Sequence, residues 1–385
     1  MTGPLAGVRV VELAGIGPGP FAAMMLADMG AEVVRVDRAA DAREHPRGPH
    51  PDVLLRGRRS VAVDLKHPEG RQVVLDLAAR SDVLLEGFRP GVTERLGLGP
   101  ADCAAVNPRL VYGRMTGWGQ DGPLAGTAGH DIGYIALTGA LNGSRRAGER
   151  PVPPMNLLGD FGGGGMFLAF GVACALLEAA RSGAGQVVDA AIVDGTAALT
   201  NFVHGLRNAG LWSAPPGGNL LDTGAPYYDV YACADGREVA VGPLEPRFYA
   251  ELLRLSGMEW TAGDEVSPER RTDPAGWPAA KRRWAALFAT RTRDEWAAVF
   301  DGSDACVAPV LDWDEAAGHP HLAARGTYVE EHGATQAAPA PRFGGAPAAL
   351  GLPPPHPGEH TDAVLADLGR SPAAVVALRA AGAVG

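Results

Sequence analysis

The chain has 385 residues, 34 Lys plus Arg against 44 Asp plus Glu, a formal net charge of −10 and 46% hydrophobic residues. The length favours two domains, and an acidic balance without a long basic run argues against nucleic acid or an anionic membrane as partner. Cys103, Cys174, Cys233 and Cys306 stand far apart without a CxxC, which points to thiols of a reducing cytosol rather than a disulfide frame or zinc site.

A β-branched run, Val8 to Leu13, opens the chain. The turn Gly15-Ile16-Gly17-Pro18-Gly19-Pro20 follows, then an apolar helical pattern from Phe21 to Met29 and a second strand pattern from Ala31 to Val36. This is the β-turn-α-turn-β opening of a doubly wound sheet. Strand patterns recur at Ser60–Asp64, Ser81–Leu85 and Leu110–Tyr112, with helical patterns at His67–Arg80 and from Asp102. Alternation of this kind predicts a parallel sheet covered on both faces. From Gly117 to Gly165 the chain is dense in glycine and reads as a functional loop. A helix is expected over Phe167–Ala180, a strand over Gly185–Ala191 and one helix from Val193 to Gly210. The apolar stretch around Gly162 to Leu177 is too short to span a bilayer. The opening lacks the basic-then-apolar pattern of a secretion signal, so a cytoplasmic location is expected.

A second region begins near Tyr227. Ala234-Asp235-Gly236 between two strand patterns signals a hairpin, and helices are expected over Pro246–Leu255, Pro278–Ala289 and Arg293–Phe300. The expected organisation is a large domain over 1–190, a linker 191–226, a small α+β domain 227–315, a linker 316–333, and a return to the large domain over 334–385. The segment after Gly333 reads as extended and ends in two short helices.

Four groups of residues carry chemistry. The turn GIGPGP sits where a dinucleotide fingerprint would, yet Pro20 occupies the third glycine position and two prolines remove amides, so it reads as a tight strand-to-helix turn. Arg38, Arg56, Arg58, Arg59, Lys66, Arg89 and Arg95 form a basic set suited to a polyanionic ligand such as a phospho-ADP group. His130 lies in the glycine-rich loop beside Asp131. Asp160, after Asn156, precedes four glycines, which could let backbone approach a ligand, and it reads either as a helix cap or as a carboxylate poised beside a substrate. Met24, Met25, Met115, Met155 and Met166 lie near these segments; they would suit an irregularly shaped ligand or simply fill the core.

The blocks PLAGVRVVEL, RRSVAVDLK, EGFRPGVTERLGLG, GHDIGYIALTGAL, DFGGGGMFLAF, GQVVDAAIVD and PGEHTDAVLADLG occur in one order along nearly the whole chain. In these it resembles the class III coenzyme A transferase (CaiB/BaiF) family. The match is weakest over 39–50 and after Gly333. The segment Gly129-His130-Asp131-Ile132-Gly133-Tyr134, with PVPPMNLLGDFGGG and DTGAPYYDVY, is similar to the α-methylacyl-CoA racemase branch.

The resemblance implies an α/β protein with a Rossmann-like large domain, a small α+β domain and an interlocked homodimer. It implies racemisation of 2-methyl-branched acyl-CoA thioesters by two-base proton transfer, with transfer of CoA through an Asp160 nucleophile as the alternative. His130, Asp160 and Glu245 would be catalytic, Glu245 reaching His130 from the partner chain. Substrate would be held by Arg38, Val63, Asp64, Leu65, Lys66, Gly87, Arg89 and Arg95. Gly129, Asp131, Ile132, Gly133, Tyr134 and Asn156 would complete its site, and backbone amides near Asp160 would hold the enolate oxygen. No metal or redox cofactor is implied, coenzyme A being part of the substrate.

Overall fold

The structure, a computed structural model, describes residues 2–44 and 52–385, so part of the weakly matching stretch 39–50 lies outside the described residues. The chain forms two compact units. The first holds Met1–Thr138, Met155–Leu199 and Ala323–Gly385, and the second Gly139–Pro154 and Thr200–Leu322.

The first unit is built on six parallel strands, β1 (Arg9–Leu13), β2 (Glu32–Arg38), β3 (Arg58–Val63), β4 (Val83–Glu86), β5 (Val111–Thr116) and β6 (Val187–Ala191). Their order is β3-β2-β1-β4-β5-β6, so the winding reverses between β1 and β4, where open α/β sheets bind ligands. Successive side chains point to opposite faces, which gives two cores. Val11, Val34, Val61 and Leu84 point to one face, on which Pro68–Ala78 and the C-terminal helices Thr361–Asp367 and Pro372–Ala380 pack. Val10, Val33, Val83 and Val111 meet α1 (Pro18–Asp28) and the long helix Met166–Ser182. Helix α1 starts three residues before the expected Phe21 because Pro18 and Pro20 fall in the first turn, where no amide is needed.

Several expectations need correction. The glycine-rich stretch is partly helical: it contains α2 (Asp131–Leu137) and a π-helix, Leu157–Gly165, that runs directly into α3 (Met166–Ser182). The continuous helical segment Leu157–Ser182 has 26 residues and is therefore long and apolar enough to cross a membrane by length and composition. One stripe of it, Leu168, Val172, Ala175 and Ala179, is nonetheless buried in the sheet core, as in the core helix of a globular protein. The helix expected over 193–210 is two, α4 (Ile192–Leu199) and α5 (Asn201–Asn208), which belong to different units. The segment 316–333 is no bare linker, because Tyr328–Glu331 pairs with Ala334–Ala337 as a hairpin in the first unit. Gln336 on it is buried and accepts from Arg56 at 2.9 Å.

The second unit has the expected hairpin, β7 (Asp229–Ala232) and β8 (Glu238–Val241), extended by β9 (Val307–Pro309). Helices α6 (Pro246–Ser256), α7 (Trp277–Phe288) and α8 (Arg293–Phe300) pack around Tyr249, Trp284, Phe288 and Trp296. Segment 139–154, read as part of the large domain, belongs here. Arg146 on it pairs at 2.8 Å with Asp229, which also holds Lys281 at 2.6 Å. Much of the expected linker 191–226 is likewise inside this unit, where Asp222 accepts from the amides of Gly217 and Asn219.

Candidate active site

Two cavities open at the carboxyl ends of the parallel strands, where chain reversals leave room above the sheet. One of about 670 Å³ lies over β1, β4 and β5 and is walled by the turn 14–20, Arg89, His130, Tyr134, Asn156 and Asp160. The other, about 760 Å³, lies over β1, β2 and β3 and is walled by Arg38, Val63, Asp64, Leu65, Lys66 and the C-terminal Ala381 and Gly382. They share Ala14, Arg38 and Phe88.

Asp160 is neither a cap nor a loop residue. It stands in the first turn of the π-helix, whose N-cap is Asn156. Its backbone N–H donates to Asp131 Oδ1 at 2.7 Å, and Asn156 Nδ2 donates to its Oδ2 at 3.3 Å. Burial pushes the Asp160 carboxyl above the usual carboxylate range; the Asn156 bond opposes this, the charge of Asp131 adds to it, and His130 opposes it. Across the cavity wall a Cβ on Gly17 would stand 3.3 Å from Asp160 Oδ2, at a backbone φ of +68°. The turn GIGPGP thus lines the reactive cavity, a role the sequence reading did not assign; its odd placement of Pro20 was the available signal.

The glycines after Asp160 serve packing instead of ligand approach. A Cβ on Gly163 would meet Thr196 Oγ1 at 2.4 Å, and one on Gly165 would meet Phe21 at 2.7 Å. Phe161 stacks on Phe21 with ring centroids 4.8 Å apart. The π-helix is therefore seated on α1 and α4, which holds Asp160 at the cavity.

His130 is the exposed N-cap residue of α2, in extended conformation (φ −138°, ψ 168°), and its carbonyl accepts from Gly133 at 2.8 Å. Helix α2 turns Asp131 inward, buried, and Ile132 outward at 52% exposure. Asp131, Ile132 and Gly133 do not line the cavity. Asp131 acts through the Asp160 amide, and among the described residues its buried Oδ2 has no hydrogen-bond partner. Tyr134, one turn on, is buried with its ring edge-to-face on Trp118 at 4.7 Å. Trp118 lines the same cavity and was missed; it lies between two glycines in a stretch without periodicity.

The basic set divides. Arg38, Lys66 and Arg89 line the cavities, and Gly87, Gly129 and Asn156 are there too. Arg95 is exposed and outside both linings. Arg56 and Arg58 are consumed inside the protein: Arg56 grips Asp28 at 2.6 Å, and Arg58, fully buried, meets Glu12 at 2.9 Å and the Leu54 carbonyl at 2.5 Å. Arg59 pairs with Asp367 at 2.6 Å. These three begin or precede β3, at the end of the sheet opposite the cavities. Of the methionines, Met115 lines the reactive cavity, Met24 is buried, and Met155 and Met166 are exposed. Glu245 is in the second unit, exposed at the N-cap of α6. Among the described residues, no group of three or more His, Cys, Asp or Glu is placed to hold a metal ion.

The family model for CoA-transferase family III matches residues 5–361. The chain is 47% identical to the alpha-methylacyl-CoA racemase of Mus musculus over 369 residues, covering 95% of this chain and 94% of the relative. With the enzyme of the same name from Homo sapiens it shares 46% over 369 residues, with the same coverage. Among solved structures, a CAIB/BAIF family protein from Brucella suis superimposes with a TM-score of 0.79 at 25% identity, covering 96% of this chain and all of that one. The family match along most of the chain, the identity to these relatives and the superposition agree, and the chain belongs to the CoA-transferase family III.

Proposed function

We propose that the chain is a racemase of 2-methyl-branched acyl-CoA thioesters. The observation that carries this reading is that an imidazole, His130, and a carboxyl held above its usual range, Asp160, line one cavity beside a second cavity edged by Arg38 and Lys66. Inversion at C2 needs one group to remove a proton while another, in the opposite protonation state, returns one. The thioester acidifies that proton, so two titratable side chains suffice and no metal or redox group is required. A raised pKa lets Asp160 carry a proton nearer neutral pH than an ordinary aspartate. Arg38, on the wall common to both cavities, would neutralise phosphate between the nucleotide and thioester ends. The near-full-length similarity to two racemases supports the same reading.

The working form is a homodimer, with Glu245 of one copy orienting His130 of the other. Support comes from α3, whose Met166, Phe170 and Leu177 are 43%, 68% and 55% exposed on one face, an apolar stripe suited to a second copy. The location is cytoplasmic, which suits four free thiols, and neither nucleic acid nor membrane is a partner.

The test is deuterium incorporation at C2 of a single enantiomer of a 2-methylacyl-CoA in deuterated water, with no acceptor acid present. Incorporation with loss of optical purity is the expected result. A chain that gives none, but forms a hydroxylamine-trappable acyl group on Asp160 when a second acid is added, is a CoA transferase instead.

A further inference from the structure

The enolate formed during inversion carries charge on the thioester oxygen, and a donor fixed at that oxygen lowers the barrier. The backbone amides next to Asp160 are the obvious candidates, yet two of them are committed. The Asp160 N–H is held by Asp131 Oδ1 at 2.7 Å, and the Phe161 N–H by the Asn156 carbonyl at 3.3 Å. The phenol of Tyr134 is a side-chain donor on the same cavity wall.

We propose that the phenol of Tyr134 donates the hydrogen bond to the thioester oxygen, which makes it a further catalytic residue of the proposed racemisation. Tyr134 lines the same cavity as His130 and Asp160. Its ring is closely enclosed. Trp118 stands edge-on at 4.7 Å, and Cβ atoms on Gly117 and Gly129 would fall 2.0 and 2.6 Å from the ring, so only glycine fits at both places. A donor locked this way needs no reorganisation when charge develops. Among the described residues no hydrogen bond engages its hydroxyl. Its charged neighbours are Asp160 and Arg89. Arg89 favours negative charge arriving nearby, and a phenol more weakly acidic than usual keeps its proton and so remains a donor.

The step balances without a co-reactant. One of the two acid–base groups takes the C2 proton, the C–H electron pair becomes the C1–C2 π bond, and the carbonyl π pair moves to oxygen. Tyr134 donates to that oxygen and keeps its proton. The other acid–base group then protonates C2, and the carbonyl reforms.

The inference rests on the racemase reading, and the experiment separates the two. Wild type and Tyr134→Phe are compared for C2 exchange on a 2-methylacyl-CoA in deuterated water. Loss of one preorganised donor should lower kcat about 10²–10³-fold with KM changed less than about threefold. Free CoA should bind both proteins equally. Exchange by wild type with kcat of Tyr134→Phe within about threefold overturns the Tyr134 proposal alone, whereas absence of exchange by wild type overturns the racemase reading. If Tyr134→Phe does not fold, 3-fluorotyrosine at 134 keeps the shape and makes the phenol more acidic. The alkaline limb of kcat should then fall at lower pH, because the donor proton is lost earlier; an unmoved limb overturns the proposal.

Discussion

The side chain of Asp131 holds the main chain of Asp160: its Oδ1 accepts the Asp160 N–H at 2.7 Å, while its charge helps to keep the Asp160 carboxyl protonated. One buried carboxylate thus holds the π-helix backbone and adds to the upward push that burial gives the acid the π-helix carries. The two effects can be separated. Asp131→Asn keeps an oxygen acceptor and removes the charge, so the Asp160 pKa should fall toward its ordinary value. With Asp160 as the base, activity appears as pH rises through its pKa, so this limb should move to lower pH in the variant, as a pH profile of exchange would record. Asp131→Ala leaves the amide without its partner and should cost about 1–3 kcal/mol of stability, read as a lower denaturation midpoint.

Asn156 acts with the opposite sign. Its Nδ2–H bond to Asp160 Oδ2 favours the ionised carboxyl. Asn156→Ala should therefore raise the Asp160 pKa and shift the same limb to higher pH. Opposite displacements in the two variants are the expected pair of results, and shifts of the same sign would refute the assignment of the limb to Asp160.

Gly17 stands against the Asp160 carboxyl at a φ of +68°. Gly17→Ala adds a Cβ where 3.3 Å separates it from Oδ2 and forces an L-residue into a positive-φ conformation (ψ −119°) outside the left-handed helical well, which costs about 1–3 kcal/mol. Stability should drop by that amount, and kcat should fall more than KM rises because the carboxyl is displaced. Steady-state kinetics beside thermal denaturation checks both.

His130 and Asp160 divide the stereochemistry. His130→Ala should lower inversion by about 10²–10⁴-fold while Asp160 still exchanges the C2 proton of the one enantiomer it faces. Asp160→Asn should leave exchange only in the other enantiomer. Following each enantiomer by NMR in deuterated water tests this, and loss of exchange in both enantiomers from either variant would contradict a two-base site.

The seat of the π-helix is as exacting as the site itself. A methyl group at Gly163 would press on the Thr196 side chain and backbone, at 2.4 and 2.7 Å. Gly163→Ala should destabilise by about 1–3 kcal/mol, and reduced activity should accompany it because Asp160 sits one turn away. Chemical denaturation with a two-state fit measures the first effect.

The doubly wound parallel architecture was legible because buried parallel strands are short β-branched runs, and the turns between them carry glycine and proline at fixed offsets. Val8 to Leu13, Ala31 to Val36 and the Asp235-Gly236 hairpin turn announce themselves locally. His130 and Asp160 were legible as residue types in a resembling motif. The segment after Asp160 was not, since its glycines look like flexible loop until Thr196, Phe21 and Pro18 are seen against them.

What the sequence determined alone is the alternation of strands and helices, along with the presence of an imidazole and a carboxyl in two separate resembling segments. Only the tertiary structure decided which cations face a ligand: Arg38 ends its strand at the cavities, while Arg58 begins its strand beneath α1 and is spent on Glu12. Both are arginines at strand termini, and the difference is direction along a parallel sheet. That direction decides whether a charge opens to solvent or must be paired inside, and no local pattern records it.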